Sequence, residues 1–341
     1  MKKLLFGLGV LFMMVFVLVG CGHDDSVEDN EGDQEMVTAP AEIVDDEEVT
    51  DGEEEIENDT ERIQVVSTFS IISDMALQVG GDLVEVTTLT PIGEDPHEHE
   101  VLPADVMAVE NADVILYNGM NLETGGNGWF EGLMVTTNQV TGVDYVAVTD
   151  GITALYLTTA GLEQYQDPHA WLDIHNGMVY MQNIADILSE LAPEHAQTFQ
   201  ENAATEIARL EVLRDEWLDR FATIPDDERL VTTVEGAFRY FGLAFGIQTA
   251  YVWEINAHEE GTPEQMMRII GIINESNVRR LFVESVFEGA GYMEQVSEET
   301  GIDIYGIVYT DSLSEAGGNA PTYFDMLRHN LETIYSGLTA Q

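Results

Sequence analysis

Positive charge and cysteine are both scarce in this chain of 341 residues. It has 12 Lys and Arg residues against 64 Asp and Glu residues, so its formal net charge is −52 at pH 7. A nucleic-acid partner is excluded as a first expectation, because phosphate binding needs a basic surface. The single cysteine, Cys21, leaves no partner for an intramolecular disulfide. Hydrophobic residues still make up 45% of the chain, enough for one large or two ordinary folded domains.

The N-terminus has the pattern of an export signal. A lysine pair precedes an apolar run from Leu4 to Gly20, which predicts a signal peptide over residues 1–20. An uncleaved transmembrane anchor is the alternative, although the 17 residues of this run are at the lower limit for crossing a bilayer. Cys21 directly follows a Leu-Val-Gly sequence that resembles the lipobox of bacterial lipoproteins, in which the cysteine is acylated. We therefore expect lipid on Cys21 to anchor the chain to the outer face of the cell membrane.

An acidic segment follows Cys21. Of the 39 residues from Gly22 to Thr60, 18 are Asp or Glu, none is Lys or Arg, and no hydrophobic period is present. Such a segment cannot bury enough apolar surface to offset its ordering entropy. We interpret residues 21–61 as the lipidated cysteine and a disordered tether. A cation-collecting tail is the less favoured alternative, because the segment has no ligand spacing.

Beyond residue 61 the apolar pattern predicts alternating strands and helices, which is typical of an α/β fold with mainly parallel sheets. A long amphipathic helix is predicted from Glu194 to Phe221. We expect an N-terminal α/β lobe over residues 62–192, a linking helix over 193–223 and a C-terminal α/β lobe over 224–341. The cleft between the lobes is the expected ligand site. Ligands of open parallel sheets bind beyond the carboxyl ends of strands, so the residues that follow predicted strands are the candidates.

The predicted strands are Ile63–Thr68, Leu83–Leu89, Asp113–Tyr117, Leu230–Val234, Thr249–Trp253, Arg280–Val283 and Ile302–Tyr309.

The tripeptide Asp-Pro-His occurs twice, as Asp95-Pro96-His97 and as Asp167-Pro168-His169. Proline fixes its own φ angle, so each imidazole is expected on a stiff loop with a carboxylate two residues earlier. A metal-binding histidine usually donates its second ring N–H to a carboxylate or carbonyl, a role open to Asp95 and Asp167. The repetition favours metal ligation by His97 and His169 over a structural role.

Two acids directly follow predicted strands in the second half of the chain. Glu235 follows Leu230–Val234, and Asp311 follows the strand that ends at Tyr309 and the intervening Thr310. Their positions after strands are weak evidence that these acids bind a ligand. The simpler alternative for each is a helix N-cap, in which the carboxylate accepts backbone N–H groups.

These residues, in this order, resemble the metal-specific solute-binding lipoproteins of bacterial ABC importers, a family that includes the manganese-type surface adhesin lipoproteins. The resemblance extends from about Ile63 to the C-terminus. It is carried by the stretches PIGEDPHEHE, YNGMNLETGG, DPHAWLDIHNG, VEGAFRYFG, AYVWEINAHEEGTPEQ, LFVES and YTDSLSE. The resemblance implies two α/β lobes joined by one rigid helix, and a metal site formed by His97, His169, Glu235 and Asp311.

The residue at position 235 bears on the identity of the metal. Zinc-type members of the family commonly have His there and a His-rich acidic loop between the two DPH motifs. This chain has Glu235 and no histidine from Gly151 to Gln166. Two imidazoles and two hard carboxylates suit Mn²⁺, with Zn²⁺ and Fe²⁺ as the alternatives.

His99 is a departure from the family pattern, because relatives often have an aromatic residue at this position. In an extended loop, alternation would direct His99 away from His97. We interpret it as a surface residue or a secondary residue near the site, in the same class as Asp95 and Asp167.

The expected function is that of a monomeric extracytoplasmic binding protein that captures a divalent metal and delivers it to an ABC permease. Four protein ligands would bury the ion and leave no open position for a reacting water, so no enzymatic activity is expected. A metallohydrolase is the alternative from another class, and it is disfavoured because the chain has no HExxH motif. An adhesin role rests only on the name that some family members carry.

The acidity extends beyond the tether. After residue 60 the chain still has 46 acids and 10 arginines, a net charge of −36, and no lysine. Arginine keeps its charge at pH values where lysine begins to lose its proton, so this composition suits an alkaline or salty exterior. Unfolding measured against pH and NaCl tests this hypothesis, and stability that peaks near neutral pH in low salt would contradict it.

Overall fold

The computed structural model describes residues 62–125, 128–256, 261–286 and 290–340. The predicted signal peptide, Cys21 and the acidic tether lie outside these residues, so they stay predictions. Within the described residues, no helix combines the length and the apolar character that crossing a membrane requires. The described residues all belong to one compact unit.

The first half of the described chain forms a four-stranded parallel sheet with the strand order β2-β1-β3-β4. The strands are β1 (Ile63–Ser67), β2 (Val84–Thr88), β3 (Val114–Tyr117) and β4 (Tyr145–Ala147). Parallel strands need crossover connections, and each connection here contains a helix. These helices are α1 (Ser70–Gly80), α2 (Pro103–Glu110) and α3 (Trp129–Thr136).

Two long helices follow this sheet, α4 (Ile174–Leu191) and α5 (Ala196–Phe221). They pack against each other and against α1. The 26 residues of α5 make it about 39 Å long, since an α-helix rises about 1.5 Å per residue. Its buried residues form one apolar stripe along the helix, namely Phe199, Ala203, Leu210, Leu213, Trp217 and Phe221.

The second half contains two parallel strand pairs. β5 (Leu230–Glu235) pairs with β6 (Gln248–Trp253), and β7 (Leu281–Glu284) pairs with β8 (Ile304–Val308). The successive strands are connected by α6 (Arg239–Phe245), α7 (Pro263–Glu275) and α8 (Ala290–Thr300), and α9 (Tyr323–Leu338) follows β8.

A side chain joins the ends of β5 and β7. The buried Glu284 carboxylate accepts the backbone N–H groups of Val234 and Glu235, at 3.2 and 2.8 Å. A buried N–H group needs a hydrogen-bond acceptor, and this carboxylate provides one for both groups. Glu284 therefore fixes the backbone of Glu235 at the carboxyl end of its strand.

The parallel α/β architecture predicted from the sequence is confirmed. The largest hydrophobic core contains residues from both halves, including Phe69 of the first half and Phe282 of the second, with Phe221 of α5 among them. The division into two lobes at the bounds given above stays a prediction.

Candidate metal centre

Four buried side chains converge near the carboxyl ends of the strands. His97 lies between β2 and α2, and His169 lies between β4 and α4. Glu235 is the last residue of β5, and Asp311 lies just beyond β8. One nitrogen or oxygen from each of the four lies within 4.8 Å of the others, and none of the four residues is more than 3% exposed. The structure thus brings together the four ligands implied by the resemblance; their role in binding metal stays a prediction.

The atoms that face one another are ring nitrogens and carboxylate oxygens. His97 Nε2 lies 3.7 Å from Glu235 Oε1, and His169 Nε2 lies 3.6 Å from Glu235 Oε2 and 3.5 Å from Asp311 Oδ1. Both Nε2 atoms and Asp311 Oδ1 are buried without a hydrogen-bond partner. Ligands about 2.1 Å from a tetrahedral ion lie roughly 3.4 Å apart, so the observed spacing fits one shared ion.

The second DPH loop orients its histidine through Asp167. Asp167 Oδ1 lies 2.8 Å from His169 Nδ1 and also accepts the backbone N–H of His169 at 3.1 Å. Arg239 donates to the other oxygen of Asp167 at 3.2 Å. With the ring proton on Nδ1, the lone pair of Nε2 is directed at the carboxylates and is available to a metal.

The first DPH loop is arranged differently. Asp95 Oδ1 accepts the backbone N–H of His97 at 2.8 Å, so this carboxylate fixes the loop rather than the imidazole ring. The Nε1–H of Trp129 on α3 donates to the carbonyl of Pro96 at 2.9 Å. Both bonds therefore hold the backbone that carries His97.

Each carboxylate of the centre has one oxygen in a hydrogen bond from the protein. Glu235 Oε1 accepts the backbone N–H of Asn256 at 2.7 Å, and Asp311 Oδ2 accepts the hydroxyl of Thr310 at 2.7 Å. The alternative role of Glu235 as a helix N-cap is wrong, because the cap residue of α6 is Phe238.

Burial and the mutual proximity of these groups change their protonation. Burial, together with the Glu235 carboxylate, raises the pKa of Asp311 to about 7. Burial also raises the pKa of Glu235 and lowers the pKa of His97. Burial alone would lower the pKa of His169, but the Glu235 and Asp167 carboxylates raise it well above its usual value. A divalent ion would take the place of protons at this centre.

His99 is buried, and its interpretation as a surface residue is wrong. It is 4% exposed, its Nε2 lies 2.9 Å from Asp105 Oδ2, and its ring packs edge-on against Trp129 at 4.8 Å. The physical reason is that α3, a helix outside the elements predicted from the sequence, places Trp129 against this loop. His99 does not belong to the group of four converging side chains.

Three residues at the centre are absent from the sequence predictions. Arg239, Asn256 and Glu284 each form a hydrogen bond with a predicted site residue. Burial raises the pKa of Glu284 to about 8. All three lie inside the stretches that carry the family resemblance, VEGAFRYFG, AYVWEINAHEEGTPEQ and LFVES, and this is the signal that could have identified them.

Comparison with known proteins identifies the family of this chain. The family model described as ZnuA, "Zinc-uptake complex component A periplasmic", matches residues 65–337. The chain belongs to the ZnuA family. The resemblance predicted from the motifs is therefore confirmed.

Relatives of this ZnuA-family chain are named for different metals. The manganese ABC transporter substrate-binding lipoprotein PsaA of Streptococcus pneumoniae is 41% identical over 278 residues, which cover 82% of this chain and 90% of PsaA. The iron ABC transporter substrate-binding lipoprotein MtsA of Streptococcus pyogenes is 42% identical over 279 residues, with coverages of 82% and 90%. Members of the family are thus solute-binding proteins of transporters.

Solved structures share the ZnuA-family fold. The Mn-bound periplasmic metal-binding protein of candidatus Liberibacter asiaticus has a TM-score of 0.73 and 34% identity, covering 81% of this chain and all of that chain. The periplasmic zinc-binding protein TroA of Treponema pallidum has a TM-score of 0.73 and 25% identity, covering 81% of this chain and 99% of that chain.

Proposed function

We propose that this ZnuA-family protein captures a divalent transition metal outside the membrane and delivers it to an ABC permease, with Mn²⁺ as the favoured metal. The supporting observation is the convergence of two imidazole nitrogens and a carboxylate oxygen, all buried and without partners, beside a second carboxylate. Such atoms are costly to bury unless a cation completes their bonding. The two carboxylates would balance the charge of a divalent ion.

Manganese is favoured by the donor set. The two carboxylates provide hard oxygen ligands that suit Mn²⁺, the two imidazoles add nitrogen ligands that Mn²⁺ also accepts, and relatives named for manganese support this choice. Fe²⁺ and Zn²⁺ are the alternatives, and relatives named for iron and zinc support a transition metal in general. We expect Zn²⁺ to bind at least as tightly in vitro, because it exceeds Mn²⁺ in intrinsic affinity for most such sites.

Transport rather than hydrolysis is supported by the closed site. The four proposed ligands are at most 3% exposed, so a substrate has no direct path to the ion. A catalytic ion needs an open coordination position for water or substrate. Release of the ion would require the elements that carry the ligands to move apart. Docking on the permease would cause this movement.

The location of the protein is part of the proposal. Acylation of Cys21 would anchor a monomer to the outer face of the cell membrane, and residues 22–61 would link the anchor to the folded part. The relatives that are named lipoproteins support this arrangement.

Metal addition is expected to stabilise the purified protein lacking residues 1–21. One equivalent of Mn²⁺ or Zn²⁺ should bind and raise the unfolding midpoint, since a ligand at 100 times its Kd contributes about 2.7 kcal/mol. Calorimetry gives stoichiometry and affinity, and the anomalous signal of a crystal identifies the element and its ligands. Failure to take up either ion would overturn the proposed function.

A further inference from the structure

Asn256 connects two parts of the metal centre that lie on different elements. It follows β6 and is 3% exposed. Its backbone N–H donates to Glu235 Oε1 at 2.7 Å, and its side-chain Nδ2 donates to Asp95 Oδ2 at 2.8 Å. Its Oδ1 accepts the Nε1–H of Trp253 at 2.9 Å. Both the oxygen and the nitrogen of the side-chain amide therefore form hydrogen bonds with protein groups, so the amide oxygen is not available as a metal ligand.

Asp95 transmits this bond to a proposed ligand. Its second oxygen accepts the backbone N–H of His97, and the intervening Pro96 stiffens the tripeptide. The Asn256 side chain thus holds the loop that carries His97 against β5, which carries Glu235. A second bond, from the Gly93 N–H to Ser312 Oγ at 2.8 Å, joins the same loop to the segment after β8. Removal of the Asn256 amide should therefore loosen the loop without detaching it.

We propose that Asn256 is a positioning residue that slows metal release by holding the His97 loop against Glu235. The inference rests on the proposed function, because it concerns an ion shared by His97 and Glu235. The side chain acts through Asp95, whereas the backbone N–H acts on Glu235 directly. A substitution at position 256 therefore removes the side-chain bond to Asp95 and keeps the backbone bond to Glu235.

The chemistry of this position explains why an amide is present. Asp95 requires a donor, and the Trp253 N–H requires an acceptor, and asparagine provides both on one short side chain. A carboxylate at position 256 would lie against Asp95 in a region that already contains Glu235 and Asp311. Like charges at such a distance repel strongly when buried.

The test compares the rate of Mn²⁺ release to a chelator with the unfolding midpoint of the metal-free protein. Asn256→Ala is expected to release the ion about tenfold faster, because a hydrogen bond to a charged group contributes on this scale. Asn256→Asp is expected to release it faster still. In the double variant Asp95→Asn/Asn256→Asp the amide and the carboxylate exchange places at constant total charge, and the release rate should return to within about threefold of wild type.

Asn277→Ala is the matched control. Asn277 Nδ2 donates to Asp227 Oδ2 at 2.7 Å, the same pair of groups at an exposed position away from the four ligands. The Asn277→Ala variant should release Mn²⁺ at the wild-type rate. The restored rate in the exchanged pair is a result that a purely structural role for Asn256 does not predict.

Two results would overturn the inference while leaving the proposed function intact. One is a wild-type release rate in Asn256→Ala, including the case in which only the unfolding midpoint falls. The other is a double variant that releases Mn²⁺ as fast as Asn256→Asp. A wild-type protein that takes up neither Mn²⁺ nor Zn²⁺ would instead overturn the proposed function.

Discussion

Replacing His97 and His169 together by alanine is expected to abolish the uptake of Mn²⁺ and Zn²⁺ by the purified protein. The two Nε2 atoms are half of the proposed donor set, and both are buried without another partner. Loss of an outer-shell partner alone costs about 10–100-fold in metal affinity, so the loss of two ligands should exceed this range. Titration calorimetry measures the affinity directly.

His175→Ala is the control for this pair. His175 is exposed and does not belong to the group of four converging side chains, so its removal should leave metal affinity unchanged. Circular dichroism of the double variant would verify that it is folded. Normal uptake by a folded double variant would contradict the assignment of both histidines as ligands.

Asp311→Asn is expected to stabilise the metal-free protein at pH 8 and to remove most of the stabilisation by metal. An aspartate in the unfolded chain loses its proton near pH 4, about its reference value. Burial raises the pKa of Asp311 in the folded protein to about 7. Between these pH values the folded state binds more protons than the unfolded state, so the free energy of unfolding falls as pH rises. Asparagine has the same shape without the buried charge, so it avoids this loss.

Denaturant unfolding of the metal-free proteins at pH 5 and pH 8 tests this prediction. The advantage of Asp311→Asn over wild type should be larger at pH 8, and Mn²⁺ should raise the midpoint of wild type far more than that of the variant. Asp303→Asn, which changes an exposed acid, should show neither effect. An equal advantage at both pH values, or undiminished Mn²⁺ binding, would contradict the role given to Asp311.

Seven of the eight strands in the described residues could be predicted from the sequence because their apolar runs are local, whereas the three-residue β4 (Tyr145–Ala147) was missed. β5 was predicted at Leu230–Val234 and extends by one residue, since Glu235 continues the pairing with β6 opposite Trp253. Helix α4 was not predicted, and Gly177 shows one reason. A Cβ at this position would lie 2.0 Å from the hydroxyl of Tyr323 on α9. The glycine is required by a distant helix, and no local pattern reveals such a requirement.

The four candidate ligands could be named from the repeated DPH motif and the family resemblance, but their surroundings could not. Asn256 and Asp95 are 161 residues apart in the chain, and Glu284 reaches Glu235 across 49 residues. Hydrogen bonds between positions so far apart produce no local pattern in the sequence from which they could be predicted. The same reason explains the error at His99, whose neighbour Trp129 is positioned by the packing of α3.

The spacing of the four converging residues along the chain determines when a metal can be bound. Successive members are separated by 72, 66 and 76 positions. An unfolded chain would have to close three large loops to collect them, at an entropic cost that grows with loop length. The unfolded chain is therefore a poor chelator, and in this respect the protein differs from zinc fingers, whose folding depends on the ion. We therefore expect the chain to fold before it binds metal, so the ion that it binds depends on which ions surround the folded protein.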